Sequence, residues 1–381
     1  MPDTDYLWLR KTTRPRLGKL PVRTVRMIDL FSGCGGITVG VDAACVELNI
    51  NLETVLAWDI FTEATDVYER NFPNTNIRND DISKVINGER GEPPTKEEKA
   101  FLNEIGEINL IVGGPPCQGN SNLNNHTRGT DKRNLLYLRM ARVIEIIQPD
   151  YAIIENVAGV RRAAQNVVSE TNTWLKSMGY SVVHGLVDGE KIGVPQTRKR
   201  HFTIASKQNK KLVLKQFQTS EHEANPRPIS WAIQDLVDKE FASEDIFNNA
   251  SKPNEVNQAR MRYLFEKNLH DLPSTERPKC HQKYSEHGPT GNTYPAMYGR
   301  MYWEKPSPTI TTGYSCNGRG RFVHPKKPRC LTPHEAARVQ TFPDYFKFNC
   351  KNRTKINRML GNAVPPLMAK HIALIIMEEV I

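Results

Sequence analysis

Cysteine is scarce in this chain: seven residues in 381, and no two of them form a Cys-x-x-Cys pair. Their odd number, and the lack of a signal-peptide apolar core near the N-terminus, speak against a disulfide-stapled secreted fold and for a reducing compartment. A zinc centre from Cys280, His281, His287, Cys316 and Cys330 would lack standard ligand spacing, so no metal site is expected. No apolar run, the C-terminal helix included, approaches the length that spans a bilayer. Acidic residues are outnumbered: Lys and Arg total 52 against 42 Asp and Glu, a net charge of +10. That surplus favours a polyanionic partner. The length suffices for one large domain and a smaller one.

The stretch around which the rest is organised is Ile111 to Ser121, IVGGPPCQGNS. Asn109 to Val112 read as a buried strand, Gly113 and Gly114 break it, and Pro115 and Pro116 stiffen the backbone just ahead of the cysteine. Cys117 therefore stands on a turn at the carboxyl end of a strand, the edge where open α/β sheets bind ligands. A lone cysteine is more often a buried structural thiol. The Gly-Gly-Pro-Pro approach and the polar residues after it favour a nucleophile instead.

Other segments fall around this one. Residues 1 to 26 are basic and hold Pro15 and Pro21, which suits a solvated tail or an arm touching phosphates. Val25 to Phe31 is a strand; Gly33, Gly35 and Gly36 form a turn, and a helix runs from Ile37 through Glu47, the opening of a Rossmann-type nucleotide site. Thr54 to Trp58 is the next strand, and Asp59 at its end suits a pair of ribose hydroxyls. Asp81 is either a cofactor contact or the cap of the adjoining turn. Gly88 to Gly106 reads as a charged surface insertion, with Thr95 and Glu98 as a capping box. A polar run to Arg133 has the length and composition of a functional loop, and Leu135 to Ile147 is helical. A strand from Tyr151 to Ile154 leads into Glu155, a candidate acid or hydrogen-bond partner. Before the strand His201 to Ala205, alternation puts Gln196, Arg198 and Arg200 on one face, which suits either a site or a basic edge strand. From about Lys207 to Tyr302 the chain is loop-rich, and cations such as Arg300 interleave with aromatic residues, as base and phosphate contacts require. Thr332, Pro333 and Glu335 start a helix, and an amphipathic helix runs from Leu367 to Val380.

GGPPCQG resembles the catalytic loop of the DNA (cytosine-5) methyltransferases, and further motifs stand in that family's order: DLFSGCGG, NDDI, ENV at Glu155, Q-x-R-x-R from Gln196 to Arg200, the segment Leu331 to Phe342, and LGNAVPP near the C-terminus. The resemblance spans the chain from about Arg26. It implies a Rossmann-like, doubly wound α/β methyltransferase sheet with a smaller, loop-rich target-recognition domain. Boundaries are expected at 1–24 for a basic arm, 25–206 for the catalytic and cofactor-binding domain, 207–354 for target recognition, and 355–381 for a segment returning to the first domain. It implies Cys117, Glu155, Arg198 and Arg200 as catalytic residues. S-adenosylmethionine would be held by Phe31, Gly33, Gly35, Gly36, Trp58, Asp59, Asp81, Pro116, Leu136, Asn362 and Ala363. Gln118, Ser121, Arg133, Gln196 and Arg300 would contact double-stranded DNA.

The chain departs from the family at Ala57, where an acidic residue is usual, and at Asn120, where an aromatic or aliphatic one is. The implied reaction flips a cytosine, adds the thiolate at carbon 6 and methylates carbon 5. An RNA methyltransferase of this fold and a noncatalytic DNA-binding accessory are the rival readings. The setting expected is a monomer in a bacterial cytoplasm, associated with the nucleoid and paired with a cognate restriction endonuclease.

Overall fold

The computed structural model describes residues 3–18, 20–116, 135–162, 167–207, 213–279 and 296–378. The chain divides into two compact units: unit 1 holds residues 1–12, 193–198 and 224–362, and unit 2 holds residues 13–192, 199–223 and 363–381. This grouping departs from boundaries at 24, 206 and 354, since the first residues, the 193–198 segment and most of the stretch just after 354 cluster with unit 1.

Unit 2 is a twisted α/β sheet. In chain order it contains β1 (Thr24–Leu30), α2 (Gly36–Glu47), β2 (Asn51–Trp58), α3 (Thr62–Asn71), β3 (Asn76–Arg78), α4 (Lys96–Ile105), β4 (Leu110–Gly113), α5 (Leu135–Ile147), β5 (Tyr151–Val157), α6 (Val167–Ser177), β6 (Ser181–Asp188), β7 (Lys199–Ser206), α7 (Leu214–Gln218) and α12 (Pro366–Glu378). The strand order is β3-β2-β1-β4-β5-β7-β6, and only β7 runs antiparallel, to both β5 and β6. Central strands such as β4 and β5 are buried along nearly their whole length, which is why they read as continuous apolar runs rather than alternating ones. β7 is an interior strand, so the edge-strand reading of the basic stretch before His201 is overturned.

α12 lies on α2 so closely that a Cβ on Gly40 would stand 2.2 Å from the Pro366 carbonyl oxygen. α4 corrects the surface-insertion reading: its Glu98, Phe101 and Ile105 are buried, with the Phe101 ring 5.8 Å from Trp58. The charged sequence hid an amphipathic helix whose inner face joins the main core.

Unit 1 contains α1 (Thr4–Leu9), α8 (Ile229–Ile233), α9 (Glu255–Glu266), α10 (Pro333–Val339) and α11 (Arg353–Asn362), joined by long irregular segments. Its core includes Met261, Leu264, Leu272, Tyr298, Val323 and Cys330. Asp3 and Asp5 pair with Arg227, and Arg10 pairs with Asp235. Within unit 2, Arg14 grips Asp42 at 2.6 Å. The N-terminal stretch is thus tied down by its own charges and is not a solvated tail. Residues Arg353–Glu378 together reach the length and hydropathy of a membrane span, but they are broken into α11 and α12 and 72% of the apolar window is buried, the pattern of core helices.

Candidate active site

In unit 2 the connections reverse direction between β1 and β4, and the carboxyl ends of those strands flank the crevice where such sheets bind ligands. β1 ends in Phe31, whose φ is +55°, and the turn continues through Gly33 at +53° and Gly35 at +95°. A non-glycine residue in that region costs on the order of 1 kcal/mol and is found where function demands a sharp turn. A Cβ on Gly35 would press within 3.0 Å of the Tyr68 ring, whereas one on Gly33 would meet nothing within 4 Å. Gly35 makes room for packing, and the turn at Gly33 stays open. Gly36 then begins α2 with no side-chain cap on its first turn.

Beneath this turn lies Asp29, fully buried. Its Oδ2 accepts a hydrogen bond from Thr38 Oγ1 at 2.7 Å, and that hydroxyl lies 2.6 Å from the Tyr68 hydroxyl. Burial pushes the Asp29 carboxyl up to about 7; the Thr38 hydroxyl works against this and the charge of Asp59 adds to it. Asp29 Oδ1 and Ser32 Oγ are buried with no hydrogen-bond partner among the described residues. Buried polar atoms are seldom left so, because each costs about 1–3 kcal/mol. Two of them beside an open glycine turn suit a polar ligand that completes the set.

Across the turn, Asp59 Oδ2 accepts from the Gly33 N–H and Oδ1 from the Phe61 N–H, both at 2.8 Å. This carboxylate staples the glycine turn to the end of β2, so a ribose at Asp59 would meet oxygens already accepting backbone donors. Trp58 is buried, its Nε1 donating to the Asp80 carbonyl at 3.0 Å. Ala57 is buried opposite Asp29 in the β1–β2 register. Asp81 is exposed and caps the next turn, its Oδ1 accepting from Ser83 N–H at 2.9 Å. Leu136 and Phe31 pack, half-buried, on the main core.

Beyond β4 the chain passes through Gly114, Pro115 and Pro116. The Pro115 carbonyl accepts from Asn156 Nδ2 at 3.0 Å, and Asn156 Oδ1 accepts from the Val157 N–H at 2.8 Å. A Cβ on Gly114 would stand 3.0 Å from Glu155 Oε2, so the glycine leaves space for that carboxylate. Glu155 is 7% exposed, and Arg200 Nε lies 2.9 Å from its Oε1. Their encounter results from the antiparallel register, in which Glu155 faces Phe202 and Val157 faces Arg200. Burial lowers the Arg200 guanidinium from its usual value while Glu155 opposes it. Cys117, Gln118, Asn120, Ser121 and Arg133 lie outside the described residues.

Three expected site residues in unit 1 are engaged elsewhere. Residues 196–198 precede β7, which starts at Lys199, so the alternation argument does not apply to them. Gln196 and Arg198 are both fully buried. Gln196 Nε2 donates to Gln340 Oε1 at 2.9 Å and its Oε1 accepts from Ile310 N–H at 2.8 Å. Arg198 donates to the carbonyls of Ile310 at 2.8 Å and Gly361 at 3.1 Å. Arg300 donates from Nε to the Pro325 carbonyl at 2.9 Å and stacks 4.1 Å from the Phe265 centroid. Asn362 is exposed at the end of α11.

Sequence reasoning passed over Asp29, Thr38, Tyr68 and Asn156. The signals were an aspartate inside the apolar run of β1 and an asparagine within ENV.

Residues 25–378 match the family described as C-5 cytosine-specific DNA methylase. The chain is 44% identical over 371 residues to the type II methyltransferase M1.BsuMI of Bacillus subtilis, covering 97% of this chain and 84% of that protein. It is 30% identical to the type II methylase M.HgiDII of Herpetosiphon aurantiacus, covering 91% and 93%. Among solved structures, the S. pombe Dnmt2 methyltransferase superposes with a TM-score of 0.63 at 18% identity, covering 93% of this chain and 99% of that one, a likeness of fold.

Proposed function

The chain belongs to the C-5 cytosine-specific DNA methylase family, and we propose that it methylates cytosine in double-stranded DNA by covalent catalysis from Cys117. The carrying observation is the buried Glu155–Arg200 pair set against Gly114, on the segment that delivers Cys117. Carbon 5 of cytosine is too electron-poor to take a methyl group directly, so a thiolate must first add at carbon 6. Glu155, held at a strand end, would steady ring N3 and the exocyclic amine as charge builds. Arg200 would hold the carbonyl oxygen, acting by preorganised electrostatics. Because Arg198 is engaged with two backbone carbonyls, the guanidinium role falls to Arg200 and Arg198 positions the strand behind it. After methyl transfer a base removes the carbon 5 proton and the thiolate leaves.

S-adenosylmethionine fits the glycine turn. Asp29 Oδ1 and Ser32 Oγ would take up polar hydrogens of its amino-acid end, and the open side of Gly33 permits close approach of backbone. When bound, its sulfonium supplies an electrophilic methyl group. Phe31, Gly35, Gly36, Trp58, Asp81, Pro116, Leu136 and Ala363 would complete the pocket, with Asp59 bracing the turn while each of its oxygens keeps a second lone pair for a ribose hydroxyl. Gln118, Ser121 and Arg133 would meet the DNA, from which the target base rotates at a cost of a few kcal/mol.

We read the setting as a cytoplasmic type II modification enzyme beside a cognate endonuclease. The Cys117→Ser variant is expected to lose more than about 10⁴-fold in turnover while keeping DNA affinity. With S-adenosylmethionine present, wild-type protein but not the serine variant should form a covalent adduct with 5-fluorocytosine DNA, seen as a mass shift, because fluorine at carbon 5 blocks the elimination that follows methyl transfer. Unchanged turnover in the serine variant rejects this mechanism.

A further inference from the structure

From Lys305 to His334 the chain carries six Lys or Arg and no Asp or Glu. Two of these cations are neutralised within unit 1: Arg321 by Asp271 at 2.5 Å and Arg329 by Glu335 at 2.7 Å. Lys326 stacks over Trp303, 5.4 Å from the ring. Lys326 and Lys327 have no carboxylate partner among the described residues. They sit in a turn, Pro325 to Pro328, whose backbone is fixed from several sides. His324 is fully buried, its backbone N–H donating to the Arg329 carbonyl at 2.7 Å. Its Nδ1 accepts from the backbone N–H of both Lys326, at 2.9 Å, and Lys327, at 3.1 Å. The Pro325 carbonyl is fixed by Arg300. An imidazole accepting at Nδ1 must be neutral, with its proton on Nε2, which lies 3.5 Å from Glu335 Oε1. Burial, opposed by Glu335, pushes its pKa down to about 4, so it stays neutral throughout the physiological range.

A turn whose amides point inward onto one ring presents its side chains outward. Lys327 and Arg329 also line a cavity of about 340 Å³, with Lys239, Asn248 and Asn249 among the other walls and Glu240 and Glu335 as its acids. Arg329 already neutralises Glu335, so cations and amides dominate what a visiting group would meet. Two lysines held at fixed spacing cost less entropy to immobilise than two on a free loop.

Resting on the family reading above, we propose that the Pro325–Pro328 turn, folded around His324, is a preformed grip on the phosphate backbone of duplex DNA, with Lys326 and Lys327 as the contacts and His324 as the positioning residue. It supplies affinity without sequence information.

The test is the salt dependence of binding to two unrelated duplexes of equal length, read by fluorescence anisotropy with the full chain. The Lys326→Ala/Lys327→Ala double variant should lower the slope of log affinity against log salt by about 2 and weaken both duplexes alike. Its KM for unmethylated plasmid DNA should rise in parallel with the loss of affinity. His324→Leu should reproduce that signature. His324→Asn, which keeps an acceptor near the position of Nδ1, should restore the wild-type slope. A wild-type slope in the lysine double variant, or a loss confined to one duplex, overturns the proposal. Should His324→Leu fail to fold, the surface lysine variant still decides. If wild-type protein forms no adduct with 5-fluorocytosine DNA, the catalytic reading fails while the salt slopes continue to test this one.

Discussion

Glu98 in unit 2 and Glu335 in unit 1 are built alike: each closes a capping box with a threonine, Thr95 or Thr332, and each is gripped by an arginine. Burial works to raise both carboxyls, but the arginine hydrogen bonds and backbone donors outweigh it and hold both below the usual range. The arginines differ. Arg142 is 1% exposed, whereas Arg329 is 25% exposed and shares its glutamate with His324. The same contrast runs through the composition: unit 2 holds 27 Lys and Arg against 27 Asp and Glu, and unit 1 holds 25 against 15. Unit 2 balances its charges, burying some of them, to hold a sheet and a pocket together. Unit 1 keeps a surplus of ten cations, as a unit that meets a polyanion should.

The contrast is tested hardest by removing the two arginines. Arg142→Met leaves Glu98 buried and uncompensated, and a loss of about 3–5 kcal/mol is expected. Arg329→Met also strips a buried carboxylate, Glu335 being 2% exposed, but the arginine it removes stands 25% exposed at the surface, and a smaller loss of about 1–3 kcal/mol is expected. Fluorine signals from 5-fluorotryptophan separate the units during denaturation, with Trp58 and Trp174 in unit 2 and Trp8, Trp231 and Trp303 in unit 1. Equal losses in the two variants would break the distinction.

A somewhat smaller effect separates the units by pH. Glu98 and Glu335 are depressed carboxylates, so their contribution is present above the usual carboxylate pKa and is lost as pH falls below it. Asp29 has the opposite sign. With its folded pKa raised to about 7, its contribution is present below about pH 4 and is lost as pH rises through 7. Unit 2 should therefore gain on the order of 2–4 kcal/mol between pH 7 and 4, a gain absent from unit 1. Asp29→Asn should abolish that slope in urea melts. A slope that survives the substitution would show that another group carries it.

How far these features could be read in advance depended on whether the partner lay nearby in sequence. The β1–glycine turn–α2 unit was legible because a strand, three glycines and a helix stand consecutively. Capping boxes were legible because both members lie within one turn. Glu98 itself was misread as surface, since what buries it is Arg142, 44 residues away. The apolar run marks a strand from Tyr151 to Ile154 that leads into Glu155; in the fold the strand runs to Val157, and Glu155 and Asn156 stay buried by meeting Arg200 and Pro115. Gln196 and Arg198 were given a strand's alternation although the strand begins after them. A motif can name its residues correctly and still be silent on which of them are engaged by the scaffold.

The smallest effect isolates the caps from the ion pairs. Thr95 Oγ1 accepts from Glu98 N–H at 3.2 Å and Thr332 Oγ1 from Glu335 N–H at 3.1 Å, so the two caps are geometrically equivalent. Thr95 has a further role, donating from Oγ1 to Asn87 Oδ1 at 2.7 Å. Replacing a capping threonine by alanine costs about 1 kcal/mol, and Thr332→Ala should cost that and no more. Thr95→Ala removes the cap and the Asn87 bond together, so its loss should exceed that of Thr332→Ala by roughly 0.5–1 kcal/mol. If the two losses instead match, the Thr95–Asn87 bond adds nothing to the hold on the 88–106 segment beyond the cap. The difference between the units would then reside in the buried pair and not in the helix that carries it.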